Sequence, residues 1–224
     1  MYPYILPTGM PCELRELTGA EEELLTNPKL LKNGDAINQV LRNCLVSLGE
    51  TTEVRLSDVL DLLAGDRLFM LVKLRQISLG DEVTVALTCP NPNCRATSQV
   101  PVNLEDLPVT PYPPEREFST VLPSAGQTVR FVPLDGHMEK RLAALPEATL
   151  SLAMLIRIRE IDGVAPTKKT LTEMALKDRQ ALRQAMLATD GGIDTTIEST
   201  CDGCGAPVRT RVESALDFLF PLGR

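Results

Sequence analysis

Two short stretches decide the fold of this chain: Cys201-Asp202-Gly203-Cys204-Gly205 and Cys89-Pro90-Asn91-Pro92-Asn93-Cys94. Each places two cysteines on a tight turn, and four thiolates are a ligand set that tetrahedral zinc takes in structural sites. Glycine after the second Cys of the first stretch favours a chain reversal, because glycine reaches positive φ without steric cost. Since neither turn completes a four-ligand shell alone, we predict one shared structural zinc ion. Its ligands would be Cys89, Cys94, Cys201 and Cys204.

Other interpretations of the four cysteines stay open at this level. They could be small buried residues without a metal, or the metal could be iron. A redox dithiol at Cys201 and Cys204 is disfavoured, because no βαβ pattern surrounds it and a second cysteine pair is present. Catalytic zinc usually recruits His or a carboxylate and keeps one position open. The only histidine, His137, is predicted to face solvent on a helix.

Composition bounds the core and the kinds of partner. The chain has 224 residues, of which 43% are hydrophobic, enough for one sizeable domain or two small ones. A net charge of -7 lacks the basic surface that supplies most non-specific nucleic-acid affinity, so no direct nucleic-acid contact is expected. Neither a signal-peptide pattern nor an apolar run of about 18 residues is present, so secretion and membrane spanning are not expected. Six cysteines in such a chain fit a reducing compartment and metal binding better than disulfides.

Local signals predict the elements of the first part of the chain. Thr18 and Glu21 match a capping box, so a helix is expected to begin there. The alternating segment around Cys12 predicts a strand with this thiol in the core. The other predicted helices run from Asp35 to Leu48 with Cys44 in the core, over Asp58–Leu63 with Ser57 as cap, and over Arg67–Ser78 as far as Gly80.

A β-hairpin with the first cysteine turn at its tip is predicted next, because apolar residues alternate on both sides of Cys89–Cys94. Residues 108–117 follow, with four prolines in seven positions, and predict a stiff connector that is neither helix nor sheet. The resulting segments are a first half at residues 1–107, the connector at 108–117, and a second half at 118–224.

The order of these signals repeats in the second half. Asp66 and Asp178 lie 112 positions apart, and so do Cys89 and Cys201. We therefore predict an internal duplication and an α+β fold of two tandem halves, each with helices and a β-hairpin that carries a cysteine turn. A pseudo-two-fold axis would bring both hairpins to the shared zinc. The predicted elements are an N-cap at Asp135, a helix from Thr149 to Ile161, a capping box of Thr170 and Glu173, a helix opened by Asp178-Arg179, and strands on both sides of Cys201–Cys204.

Patterns typical of enzymes are absent from the sequence. One histidine excludes most His-based triads, and neither a phosphate-binding G-x-x-x-x-G-K-[ST] loop nor a G-x-G-x-x-G turn occurs. The run Glu21-Glu22-Glu23 is interpreted as a solvated helix start that interacts with the helix dipole. The pairs Asp66-Arg67 and Asp178-Arg179 are interpreted as structural helix starts. We expect a protein that is not an enzyme and has no small-molecule substrate.

An ordered set of motifs resembles a known family. The motifs are Leu6-Pro7-Thr8-Gly9, Leu17-Thr18-Gly19-Ala20-Glu21-Glu22, Leu41-Arg42-Asn43-Cys44, Leu63-Ala64-Gly65-Asp66-Arg67-Leu68-Phe69, Leu74-Arg75 and Arg157-Ile158-Arg159-Glu160-Ile161-Asp162-Gly163. With the two cysteine turns, they resemble the small baseplate (hub) proteins of T4-type contractile-tailed bacteriophages and related phage-tail-like particles. The resemblance covers nearly the whole chain, which departs from the family by two extra residues between Cys89 and Cys94.

The resemblance implies a structural or assembly role in a tail baseplate, with other tail proteins as partners. The location would be the virion tail or a phage-tail-like particle assembled in the host bacterial cytoplasm, and both retention in the particle and transient assistance are compatible with it. The alternatives are a zinc-ribbon adaptor of nucleic-acid machinery and a thiol oxidoreductase. Residues 108–114 and Phe218-Leu219-Phe220 are candidate contact regions, although Phe218 and Phe220 could instead be buried in the second half.

Overall fold

A computed structural model describes residues 1–27, 29–30, 34–145, 147 and 149–211 of the chain. Helices and antiparallel strands are mixed along these residues, so the predicted α+β class is confirmed. None of the helices in these ranges is both long and apolar enough to cross a bilayer. The candidate contact region at Phe218–Phe220 lies outside the described residues.

The first sheet contains three antiparallel strands in the order β1-β2-β3. These are β1 (Tyr2–Ile5), β2 (Pro11–Leu14) and β3 (Leu45–Leu48). The alternation along β2 turns Cys12 and Leu14 into the core, as predicted for Cys12. The register between β2 and β3 shifts by a bulge between Glu13 and Leu14.

Helix α1 covers Gly19–Thr26 and begins with the predicted capping box of Thr18 and Glu21. The interpretation of the carboxylate run as a solvated helix start is wrong for Glu21, which is fully buried, and correct for the two carboxylates that follow it. Burial is tolerated because Arg15 Nη2 donates to Glu21 Oε1 at 2.8 Å. Thr18 donates from both its backbone and its hydroxyl to the same carboxylate. This network gives a buried charge its counterion and its hydrogen bonds.

Helix α2 covers Asp35–Cys44, which is shorter than predicted. The prediction that this helix continues to Leu48 is wrong, because Leu45 is the first residue of strand β3. The backbone N–H of Arg15 donates to the carbonyl of Cys44 at 2.9 Å, so sheet pairing with β2 takes over where the helix would have continued. Cys44 is fully buried, as predicted.

Helix α3 covers Leu56–Asp61 and is followed directly by α4, Ala64–Leu79. The predicted cap at Ser57 is wrong. Arg55 is the N-cap, and its backbone N–H donates to the Asp58 carboxylate at 2.7 Å. A charged acceptor in the first helical turn replaces the expected hydroxyl cap.

The predicted hairpin at the first cysteine turn is present as β4 (Glu82–Thr88) and β5 (Thr97–Asn103). Within the connector, however, β6 (Val109–Thr110) pairs with β10 (Gly192–Ile193). The prediction that residues 108–117 contain no strand is therefore wrong at these two positions. Proline at 108 and 111 permits the pairing because neither Pro interrupts the short ladder from within.

The second sheet has the same strand order as the first. It contains β7 (Phe118–Val121), β8 (Thr128–Phe131) and β9 (Ile158–Ile161), again antiparallel in chain order. Its register also shifts once, between Arg130 and Phe131.

Helix α5 (Gly136–Ala143) begins at the predicted N-cap Asp135, whose carboxylate accepts from Met138 N. Helix α6 (Leu150–Leu155) begins after the predicted Thr149 cap. Its predicted extension to Ile161 is wrong, because β9 pairs with β8 from Ile158 onward. The same error therefore occurs at the same place in both sheets.

Helix α7 (Lys168–Glu173) is capped by Thr167, which exchanges hydrogen bonds with Thr170. The predicted capping box of Thr170 and Glu173 is wrong, because Glu173 ends this helix. Helix α8 (Leu176–Thr189) follows, and β11 (Thr196–Thr200) and β12 (Pro207–Arg211) form the second cysteine hairpin.

Three clusters of buried apolar residues hold the described chain together. The largest joins the first sheet to α2 and α4, and it also includes Ile193 and Ile197 from the later part of the chain. The second lies beneath the second sheet and includes Phe131, Leu171 and Leu182. The third lies between the two cysteine hairpins and is small.

Candidate metal centre

The two cysteine turns close in the same way. The N–H of Cys89 donates to Ala96 O at 2.9 Å, and the N–H of Cys201 donates to Ala206 O at 2.9 Å. Each bond joins the last residue before the turn to the strand that returns from it. These backbone hydrogen bonds therefore fix the position of the first cysteine of each pair, Cys89 and Cys201, at the end of its hairpin.

The two extra residues of the first turn are accommodated locally. Asn91 O accepts from Cys94 N at 3.0 Å and from Arg95 N at 3.1 Å, which gives this longer turn its own hydrogen bonds. After the second cysteine, Arg95 has φ +48° and Gly205 has φ +70°. Both turns thus leave the cysteine pair through the same left-handed conformation, which costs more for Arg95 than for glycine.

All four predicted ligands meet at one place. The sulfur atoms of Cys89, Cys94, Cys201 and Cys204 all lie within 4.8 Å of one another. Cys89 Sγ is 3.6 Å from Cys204 Sγ, and Cys94 Sγ is 3.8 Å from Cys201 Sγ. Each close pair therefore joins one hairpin to the other.

Close approach of the turns depends on Gly203. A Cβ atom at this position would lie 3.0 Å from Cys94 Sγ and 3.1 Å from Ala96 Cβ. Asn91 Nδ2 lies 3.9 Å from Cys204 Sγ on the other side and donates weakly to it. The glycine and the amide together define the space around the sulfur atoms.

The site is buried among apolar residues on one side and exposed to solvent on the other. Cys89 and Cys201 are buried against Leu87 and Val208, whereas Cys204 is exposed. An ion bound by the four sulfur atoms would be anchored in an apolar cluster and would remain reachable from solvent.

The thiols differ in how easily they ionise. The Ala206 backbone and the Cys89 thiol lower the pKa of Cys204 to about 7. A backbone hydrogen bond at Asn91 lowers the pKa of Cys89, but burial and the thiols of Cys204 and Cys201 outweigh it and raise that pKa to about 12. The pKa of Cys94 is also raised, because the neighbouring thiols outweigh its backbone hydrogen bond at Ala96. Crowded thiols cannot all ionise without a cation, whereas a bound cation favours the thiolates.

The remaining cysteines and the histidine do not belong to this site. Burial raises the pKa of Cys12 to about 11 and that of Cys44 to about 12, as expected for thiols of the core. His137 is exposed on α5, as predicted, and its Nε2 lies 3.0 Å from Asp61 Oδ1. The described residues therefore offer sulfur atoms at the candidate centre and no imidazole.

Asp66 and Asp178 have a role that the sequence does not reveal. Neither caps its own helix. The carboxylate of Asp66 accepts from the N–H and the hydroxyl of Thr8, at 3.0 and 2.8 Å. The carboxylate of Asp178 accepts from Ser124 N at 2.6 Å and Ala125 N at 3.2 Å. Each Asp binds the turn that precedes β2 or β8. The sequence signals that accompany this shared role are the offset of 112 positions between the two Asp residues and the similar turns Leu6-Pro7-Thr8 and Leu122-Pro123-Ser124.

Comparison with known proteins gives one result. A family model described as T4 bacteriophage base plate protein matches residues 1–220. No curated protein and no solved structure matches the chain.

Proposed function

Because the chain belongs to the T4 bacteriophage base plate protein family, we propose that it is a structural or assembly protein of the baseplate hub in a contractile tail. The match over residues 1–220 is the observation that carries this proposal, since it spans almost the whole chain. The family assigns the protein to phage tails, to a structural role and to interaction with other tail proteins. We further propose that it is not an enzyme, that it binds no nucleic acid, membrane or small-molecule substrate, and that it assembles in the host cytoplasm.

We infer that Cys89, Cys94, Cys201 and Cys204 hold one structural zinc ion. Zn–S bonds of about 2.3 Å in a regular tetrahedron place the sulfur atoms about 3.8 Å apart. The close pairs at 3.6 and 3.8 Å match this distance, and the remaining pairs lie within 4.8 Å. The exclusively sulfur ligand set fits zinc or iron, and the reducing cytoplasm in which we propose assembly would keep the thiols available.

We also propose that the halves at 1–107 and 118–224 arose by duplication, with 108–117 as their connector. Support comes from the two sheets of equal strand order, which carry their bulges at corresponding places. It also comes from the matching Asp contacts and from the helix pairs α3–α4 and α7–α8, which begin 112 positions apart. In such a pair of halves, the shared metal joins the tip of one hairpin to the tip of the other.

The metal would therefore act on the rigidity of the protein. The apolar cluster between the hairpins contains only four buried residues, two of them ligands, so it contributes little hydrophobic stabilisation alone. A four-thiolate ion adds a crosslink between positions far apart in sequence. A rigid pair of halves would present fixed surfaces to other tail proteins during assembly.

Quantitative mass spectrometry of purified tail particles and of baseplate intermediates from the producing bacterium tests the proposed function. We expect a few copies per particle in constant ratio to other baseplate proteins, with an abundant host enzyme as the background control. Presence on intermediates and absence from finished tails would identify an assembly protein. Absence from both fractions, while the protein is found in the lysate, would contradict a baseplate role.

A further inference from the structure

Two arginines in corresponding positions make corresponding hydrogen bonds through two of their nitrogen atoms and differ at the third. Arg67 and Arg179 lie 112 positions apart, in the first turns of α4 and α8. Arg67 Nη1 donates to Val59 O at 3.0 Å, and Arg179 Nη1 donates to Leu171 O at the corresponding place. The two guanidinium groups are thus fixed to their preceding helices, α3 and α7, in the same way.

The second bond of each guanidinium also corresponds. Arg67 Nη2 donates to Asn38 Oδ1 at 2.5 Å, and Arg179 Nη2 donates to Ser151 Oγ at 3.2 Å. The third bond differs. Arg67 Nε donates to Glu139 Oε2 at 2.7 Å, whereas Arg179 Nε has no partner within the described ranges. One charged N–H of Arg179 therefore remains available to a carboxylate.

The partner of Arg67 comes from the start of α5, which lies across the junction of α3 and α4. Gly136 N donates to Leu62 O at 3.0 Å, and Ala64 N donates to Leu134 O at 2.8 Å. These two hydrogen bonds hold Leu134 and the first residue of α5, Gly136, against the junction of α3 and α4. Glu139, the fourth residue of that helix, then meets Arg67.

The corresponding junction of α7 and α8 is uncovered in the described part of the chain. Leu176, which corresponds to Ala64, has 75% of its surface exposed, and Ala175 is exposed beside it. A cavity of about 680 Å³ adjoins this edge and is lined by Met174, Ala175 and Asp178, among others. Met174 and Leu176 are the counterparts of Leu62 and Ala64, whose backbone groups pair with Gly136 and Leu134 in the first half.

The charge at this junction is also complementary to an acidic partner. Lys177 lies beside Arg179 in the first turn of α8, and Lys169 lines the adjoining cavity, in a chain whose net charge is -7. The acidic residues there are Glu173 and Asp178, and Asp178 already accepts from the backbone of Ser124 and Ala125. The positions of the first half that correspond to Lys169 and Lys177 are Ser57 and Gly65, which carry no charge. Lys169 Nζ lies 3.7 Å from Glu173 Oε1, so one of these charges is partly compensated within the helix.

We propose that the junction of α7 and α8 binds another tail protein through a segment that leads from an extended residue into a helix start, with Glu or Asp as its fourth helical residue. That carboxylate accepts from Arg179 Nε, and the segment pairs its backbone with residues 174–176 as α5 does with residues 62–64. This inference rests on the proposed baseplate role and on the correspondence of the two halves.

Within the described residues the candidate segments of this chain are already in use, so the occupant is assigned to a different protein. Helix α5 of the second half already lies on the first half of the same chain. Glu21 is the acidic residue of the corresponding helix α1, and it is fully buried against Arg15. Lys177 occupies the position that corresponds to Gly65. The missing side chain of Gly65 allows Gly191 O to approach closely, and the side chain of Lys177 prevents such an approach. The occupant is therefore expected to bind as α5 binds the first half, and not as the loop at Gly191 does.

A peptide probe tests this inference with the full-length chain. The probe is a capped synthetic peptide of residues 133–144, which contains Gly136 and Glu139 and reproduces the segment that docks on the first half. In ¹⁵N-correlated spectra we expect added peptide to shift the Arg179 Nε–H signal and the amides of 175–177, and to leave the Arg67 Nε–H signal unchanged. A peptide with Glu139→Gln should bind about tenfold more weakly, because it loses a charge-assisted hydrogen bond.

Two variants separate docking from folding. Arg179→Lys identifies the Nε–H signal but also removes bonds within the second half, so Leu176→Glu is the variant that decides. It should abolish peptide binding without a change in melting temperature, since this side chain is exposed. Leu187→Glu on the same helix, also exposed at 66%, should bind the peptide normally.

Three outcomes would overturn the inference: no shift with excess peptide, equal binding by the Glu139→Gln peptide, or equal loss in both Leu→Glu variants. Concentration-dependent dimerisation that Leu176→Glu abolishes would also overturn it, since the occupant would then be a second copy. If the protein is found in baseplates but does not bind the peptide, the proposed function stands and only the docking site is contradicted. A chain that binds the peptide and is absent from every tail fraction would lose the proposed function instead.

Discussion

Single residues show how this protein tolerates buried charge. Glu21, Asp66 and Asp178 are almost completely buried, and each accepts hydrogen bonds from side chains or backbone amides that another segment supplies. Burial raises the pKa of Asp66, although the Thr8 bonds oppose the shift. For Glu21, burial also raises the pKa, but the bonds from Arg15 and Thr18 outweigh it and lower the pKa to about 2. A buried carboxylate therefore stabilises the fold only as far as its donors exceed the desolvation cost.

The first prediction concerns Glu21→Gln. Because the folded-state pKa of Glu21 lies below its ordinary value of 4.5, its stabilising contribution is complete above that value and disappears as pH falls toward 2. We expect Glu21→Gln to lower the free energy of unfolding by roughly 2 kcal/mol at neutral pH. Urea unfolding at neutral pH and near the folded-state pKa measures the difference from wild type. Glu22→Gln, at the exposed neighbouring position, is the control and should be neutral. A difference that is equal at both pH values would contradict this assignment.

The second prediction concerns Cys204→Ser. If the four thiolates share one ion, this change leaves three thiolates around an incomplete shell, so we expect loss of bound metal and a poorly soluble or partly unfolded protein. Elemental analysis of the purified protein and thermal unfolding measure both effects. The exposed neighbour Asp202 offers a matched control, since Asp202→Asn should keep one equivalent of metal. Wild-type thermal stability of Cys204→Ser, with almost no metal in either protein, would contradict the zinc proposal.

Secondary-structure elements are joined across the two halves by close backbone contact. The first turn of α4 lies against the loop before β10, where a Cβ atom at Gly65 would be 2.2 Å from Gly191 O and 2.7 Å from the Tyr112 hydroxyl. Gly65 N donates to that hydroxyl at 3.0 Å, and Tyr112 N donates to Pro7 O at 2.9 Å. Tyr112 of the connector therefore packs between the start of α4, the turn between β1 and β2, and the loop before β10.

The third prediction concerns Gly65→Ala. The added methyl group meets backbone atoms, which cannot move aside as a flexible side chain can, so we expect a loss of about 1–3 kcal/mol in unfolding free energy. Gly19→Ala is the control, because a Cβ atom there has nothing within 4 Å. That change should be neutral or stabilising by up to about 1 kcal/mol. Chemical denaturation compares the two variants, and equal effects would show that the contact at Gly65 does not restrain the fold.

The whole molecule combines two large apolar clusters with one small cluster at the hairpins. The two sheets each have a core of their own, whereas the hairpins share only Leu87, Val208 and two cysteines as buried apolar residues. Ile197 of β11 and Val83 and Val102 of the first hairpin pack on the largest core, so it is the tips of the hairpins that have only the small cluster for packing. Their stability should therefore depend most strongly on the proposed metal.

The fourth prediction concerns metal removal at the scale of the molecule. We expect chelation to reduce amide protection in β4, β5, β11 and β12 by about tenfold or more, while the two three-stranded sheets keep most of theirs. Hydrogen exchange with mass spectrometry, before and after chelation and after zinc is restored, measures the change. Uniform loss over both sheets would indicate one cooperative unit, and no change in the hairpins would contradict a structural metal.

The sequence alone determined the features that depend on local chemistry. The caps at Thr18, Asp135 and Thr149 are where the sequence predicts them, because side chains with suitable acceptors act within three residues of the helix start. The cysteine pairs also lie at hairpin tips, since alternation and turn residues are local signals. That four thiols would form one cluster followed from the ligand number that zinc requires.

Tertiary structure decided the features that depend on distant partners. β3 and β9 look like the ends of helices in the sequence, because short apolar runs fit both periodicities, and only pairing with β2 and β8 makes them strands. The burial of Glu21 depends on Arg15, and the different surroundings of Arg67 and Arg179 depend on where α5 lies. Hydrogen bonds and packing between segments far apart in the chain leave no periodic pattern, so these features become visible only once the chain has folded.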